Sequence, residues 1–76
     1  MAQYTTCFIK QAYDNTQSKI YYDVFWYGQK IYTSYDDLYI VTETILNHLS
    51  QQGWDFNQAV NEKNFNELIL IFTKKG

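Results

Sequence analysis

The chain has 76 residues, 20% of them aromatic, with six lysines, no arginine, eight acidic residues and a formal charge of −2. A single domain of this length buries only about 60–65% of its unfolded surface, so it needs outsized core side chains, a covalent or metal staple, or a partner subunit. One cysteine, Cys7, excludes an internal disulfide, one histidine, His48, excludes a Cys/His zinc site, and dispersed lysines without arginine argue against duplex DNA as a partner.

Alternation of residue types predicts a first strand over residues 3–13, with Tyr4, Thr6 and Phe8 on one face and Thr5, Cys7 and Ile9 on the other. Asp14-Asn15-Thr16-Gln17 is a turn cluster, because Asp and Asn side chains close local backbone turns. A second strand is expected over Ser18–Tyr27, dividing Ile20, Tyr22, Val24 and Trp26 from Tyr21, Asp23, Phe25 and Tyr27. Gly28-Gln29 fits a two-residue type II′ hairpin loop into a third strand, Lys30–Thr33.

An amphipathic helix is expected between Ser34 and Gln52. Ser34 followed by Asp37 resembles a capping box, and Asp36 and Asp37 suit the positive end of the helix dipole. Leu38, Val41, Ile45 and Leu49 recur at helical spacing, with Leu46 beside them. Gly53 stands where a left-handed residue ends a helix, and Trp54 would then meet Leu49 in a Schellman motif. A fourth strand follows over Trp54–Val60, a polar turn over Asn61–Asn64, and a fifth strand over Phe65–Thr73, expected to be central because both its faces are aliphatic. The fold class is therefore α+β, an antiparallel sheet of five strands in the order β-β-β-α-β-β with one helix on one face.

The residues Leu46, Asn47, Leu49, Gly53 and Trp54 form a Leu-Asn-x-Leu-x-x-x-Gly-Trp pattern, and Leu70–Lys74 looks like a closing strand. In this the chain resembles a family of small bacterial domains of unknown function over residues 38–74, with Asp55 where that family carries Glu. The resemblance implies a hairpin after the helix and carries no activity.

Candidates for chemistry are few. Cys7 and His48 are the soft nucleophile and the neutral-pH base, but Cys7 alternates within a strand as a core residue would, and His48 lies one position off the apolar stripe. Asp36, Asp37 and Asp23 suggest paired carboxylates, against which stands helix N-terminal charge plus a solvated strand position. Neither a cofactor nor a metal is expected, and the chain reads as a non-enzyme. The longest apolar run, Leu68–Phe72, falls short of the roughly 20 residues of a membrane span, and no signal peptide is evident, so a cytoplasmic location is expected.

The aromatic residues between Tyr21 and Tyr39 are the unusual feature. One helix covers one face of a sheet, so Tyr21, Phe25, Tyr27, Tyr32 and Tyr35 are the candidate binding residues. Three readings stand side by side: cross-strand packing, a protein–protein or self-association surface (Tyr and Trp being favoured anchors), and a stacking platform for a small ligand or nucleotide. The expectation is an interaction module, regulatory or inhibitory, by analogy with small bacterial and phage regulators. A protein partner is expected, a homodimer among the forms it takes.

Overall fold

The computed structural model describes residues 2–62 and 67–75. Six elements follow one another: β1 (Ala2–Asp14), β2 (Lys19–Trp26), β3 (Gln29–Ser34), α1 (Leu38–Gln51), β4 (Asp55–Glu62) and β5 (Glu67–Lys75). The strands form one antiparallel sheet in the order β3-β2-β1-β5-β4. The α+β class and the β-β-β-α-β-β order are those the residue pattern predicts. Helix α1 links β3 at one edge of the sheet to β4 at the other.

Burial follows the strand alternation. Thr5, Cys7 and Ile9 of β1, Val24 of β2, and Leu70 and Phe72 of β5 turn to one side and are buried with Val41, Ile45 and Leu49 of α1 and with Trp54. Removing each large apolar side chain from water contributes about 1.5–3 kcal/mol. Tyr22, Trp26, Tyr32, Leu46 and Leu68 extend this core at its margins. Trp26 places its polar edge within it, its Nε1–H donating to Thr5 Oγ1 at 2.9 Å.

The helix ends as expected. Gly53 takes φ +90° and its N–H donates to the Ser50 carbonyl, while the Trp54 N–H reaches back to the Leu49 carbonyl, both at 3.0 Å. These are the two bonds of a Schellman motif, and they turn the chain so that Trp54 enters the core. Lys74 of β5 closes over the outer face of that indole, its Nζ 4.5 Å from the ring centroid.

Its start differs. The helix begins at Leu38, three residues later than a cap at Ser34 would start it, with Asp37 as N-cap and no side-chain cap bond. Ser34 belongs to β3, and its hydroxyl is committed to Asp36, accepting from the Asp36 N–H at 3.0 Å and donating to Asp36 Oδ2 at 3.1 Å. That local turn competes with the capping box and wins, and no acidic residue enters the first helical turn.

The second difference is the β2–β3 turn. Its two loop residues are Tyr27 and Gly28, with φ +55° and +75°, between the paired residues Trp26 and Gln29. Two positive angles make this a type I′ turn rather than the type II′ turn expected at Gly28-Gln29, and they place a tyrosine in the left-handed region. The β1–β2 connection matches expectation, with Asp14 Oδ1 accepting from the Thr16 and Gln17 N–H groups at 2.9 and 3.3 Å. Strand β5 is interior, but the middle position belongs to β1. Of the turn expected at Asn61–Asn64, the first two residues belong to β4 and the rest lies outside the described residues, as does the expected start of β5 at Phe65.

Candidate functional site

With α1 on one face, the opposite face of the sheet is free of any element among the described residues. The registers show what it carries. Phe25 of β2 lies beside Phe8 of β1, Phe8 beside Ile69 of β5, and Ile69 beside Val60 of β4. These side chains share the pleat opposite Cys7, Ile9 and Leu70, so they form one apolar row across four strands. Phe8, Phe25 and Ile69 are half-buried against one another, and Val60, at the sheet edge, is 42% exposed. Ile71 next to Thr6 widens the row on one side.

A charged row lies two residues further along the strands. Asp23, Lys10 and Glu67 stand side by side on β2, β1 and β5, so charge alternates in sign across these three strands, and Glu62 of β4 stands at the next register position, beside Glu67. Asp23 is held within the chain, accepting a 2.7 Å hydrogen bond from Thr33 Oγ1 and lying 4.0 Å from Lys30 Nζ. Lys10 instead places its ammonium over the Phe25 ring, 5.3 Å from the centroid. Two shallow hollows flank the apolar row. One of about 310 Å³ is lined by Tyr4, Thr5, Thr6, Phe8, Tyr27 and Gly28, and one of about 330 Å³ by Phe8, Lys10, Phe25, Gly28 and Glu67.

The five candidate residues are not one cluster. Tyr21 and Phe25 occupy the uncovered face, as the alternation of β2 requires. Tyr35 packs on Tyr21 with ring centroids 5.5 Å apart, and its hydroxyl donates to Asp14 Oδ2 at 2.8 Å. That bond holds the Asp14 carboxyl below its usual range and pushes the Tyr35 phenol above its own. Tyr27 stands at the hairpin tip, 71% exposed, its ring leaning on Trp26 at 4.9 Å. Tyr32 is paired with Val24 and faces α1, so it belongs to the margin of the core and is not on this surface. Phe8, Ile69, Ile71 and Val60 were missed as surface residues. Their alternation placed them on strand faces, but only the register joins those faces into one.

The groups considered for chemistry are kept apart. Cys7 is fully buried on the helix side, and desolvation pushes its thiol up to about 11, leaving it protonated and a poor nucleophile at neutral pH. His48 is exposed on α1, 3.1 Å from Gln52 Nε2 and edge-on to Trp26. Asp36 is engaged by Ser34, Asp37 stands at the helix N-cap position, and Asp23 lies on the far face of the sheet. Among the described residues no group of three or more His, Cys, Asp or Glu side chains converges to hold a metal ion. No helix among them is long and apolar enough to cross a membrane.

On the helix side a further, wide-open hollow of about 610 Å³ is lined by Leu38, Tyr39, Thr42, Glu43 and Leu46 of α1 and Leu68 of β5. Comparison with known proteins finds no matching protein family, curated protein or solved structure.

Proposed function

We propose that this chain is a non-enzymatic protein-interaction module, regulatory or inhibitory in role, whose docking surface is the uncovered sheet face. The observation that carries the reading is the row Phe25, Phe8, Ile69 and Val60, an apolar band spanning four strands with no element over it among the described residues. A contiguous apolar band rimmed by charge is what a protein partner covers, whereas a ligand pocket is concave and encloses most of its occupant. The hollows beside the row are open and shallow, which favours a flat partner over a nucleotide. The acidic balance and the absence of arginine argue in the same direction against nucleic acid.

Tyr21, Phe25, Tyr27 and Tyr35 form parts of this face or its rim, and Tyr32 belongs to the margin of the core. Kinship with the small bacterial domains that share the Gly-Trp helix end is part of the same proposal and adds no activity to it. The test compares proteins that co-purify with the tagged wild-type chain and with Phe25→Asp, whose folding is verified by circular dichroism. A partner, including a second copy, recovered by the first and lost by the second is the expected result. Recovery unchanged by the substitution, or quenching of Trp emission by a nucleotide without any protein partner, would overturn it.

A further inference from the structure

Resting on that reading, we infer that the occupant of the uncovered face is a second copy of this chain, related by a two-fold axis that runs within about 15° of the strands and passes midway between β1 and β5. The centre of the apolar row sets the axis. Phe25, Phe8, Ile69 and Val60 lie on β2, β1, β5 and β4, so the row is symmetric about the line between β1 and β5. Rotation about that line lays Phe8 on the partner's Ile69 and Phe25 on the partner's Val60, and the reverse.

Beside the axis the charged row becomes complementary, while at its ends Asp23 of β2 comes to the register position of the partner's Glu62 on β4. The same rotation sets Lys10 over the partner's Glu67 and Glu67 over the partner's Lys10. Within one protomer these two residues are register partners on β1 and β5, yet no ion pair forms between them. Asp23, the carboxylate on the other side of Lys10, is already occupied by Lys30 and Thr33. Alternating signs on neighbouring strands are what an offset of one strand converts from repulsion into attraction.

Size is sufficient as well. Five strands about 4.8 Å apart, over the stretch from Tyr4 to Lys10 at about 3.4 Å per residue, present a plane of about 24 × 24 Å. Two such faces laid together remove on the order of 1,200 Å² from water, the lower end of specific interfaces. Sheets packed this way cross at about −30°, so the match holds best beside the axis, where the Phe8–Ile69 and Lys10–Glu67 contacts lie.

The experiment is light scattering behind a sizing column. The wild type is expected near twice its 9.1 kDa mass. Lys10→Glu and Glu67→Lys, each verified as folded, are expected to run as monomers, because each variant sets like charges over one another. A 1:1 mixture of the two variants is expected to return to the dimer mass, since both pairs facing each other beside the axis are then of opposite sign. Changes within a protomer do not produce that rescue. Isotope-filtered contacts between Phe8 and the partner's Ile69, in a mixture of labelled and unlabelled wild type, need no substitution and decide the matter if a variant fails to fold.

A wild type that stays monomeric at millimolar concentration, variants that remain dimeric, or a mixture that does not re-form the dimer would overturn the proposal. A monomer that still loses a captured protein on Phe25→Asp overturns the second copy and leaves the interaction module standing. A monomer that captures nothing overturns both.

Discussion

Replacing Gly53 by alanine isolates the conformational demand at the end of α1. The backbone there sits at φ +90°, where an L-residue brings its Cβ toward the following carbonyl. An added Cβ would meet Lys74 Cε at 3.4 Å and Nζ at 3.8 Å, ordinary contact with the flexible end of a side chain. The steric contribution of neighbours is therefore small, and the cost is that of the left-handed backbone, about 1–2 kcal/mol. For a domain of this size each kcal/mol moves the melting midpoint by about 4–8 °C, so the expected fall is about 4–16 °C. Thermal unfolding followed by circular dichroism measures it. D-Alanine at the same position, introduced by chemical synthesis, takes positive φ without that cost and narrows the unfolded ensemble. Its stability should equal or exceed that of the wild type, by up to about 1 kcal/mol. Equal midpoints for Gly53→Ala and the wild type would refute the claim that this residue's left-handed geometry holds the helix end.

Trp54→Ala should cost about 3–5 kcal/mol, a large part of the stability of a small domain, and calorimetry should show partial or complete loss of the unfolding transition at 25 °C. Tyr27→Asn should raise the melting midpoint, because Asn-Gly suits a type I′ turn and tyrosine at φ +55° does not; a lower midpoint would show that its contact with Trp26 outweighs the strain. Because the folded state raises the Cys7 thiol from 9.0 to about 11, the buried thiol contributes stability that is present below pH 9 and lost as pH rises from 9 to about 11. The pH dependence in that window should be weaker in Cys7→Ala, and titration with a thiol reagent should be slow in the native wild type at pH 8. Tyr35→Phe should raise the Asp14 pKa toward the ordinary carboxylate value, read by NMR titration, since the phenol's hydrogen bond is the main cause of its depression.

The helix end was legible because its instructions are local: Gly53, Trp54 and Leu49 lie within one turn and specify one another. The helix start was not, since Ser34 has two uses for one hydroxyl and the nearer N–H, that of Asp36, takes it. The central place of β1 was hidden for a different reason. Its outward residues include Thr6 and Lys10, so it looks half-solvated, while the aliphatic run of β5 looks more interior than it is. The face-by-face alternation of β1, β2 and β5 was readable, and it put Phe8, Phe25 and Ile69 on definite sides. What no alternation carries is which strands are neighbours, and the apolar row exists only across neighbours. Tyr32 shows the same limit, because its side is set by pairing with Val24, next to the register shift between Val24 and Phe25.

The central position of the first strand has a consequence for how the molecule is made. During synthesis β1, β2 and β3 emerge in order and are free to pair as a meander while β5 is still to come. Until then β1, which runs over Ala2–Asp14, presents an open edge of unpaired amides flanked by Cys7, Phe8 and Ile9. Its native neighbour on that side is some sixty residues away in the chain, so closing the sheet is a non-local step and a slow one. An unsealed edge of this kind is a template for pairing with other chains. The nascent chain is thus most prone to aggregate in the interval after the meander has formed and before the β4–β5 hairpin arrives.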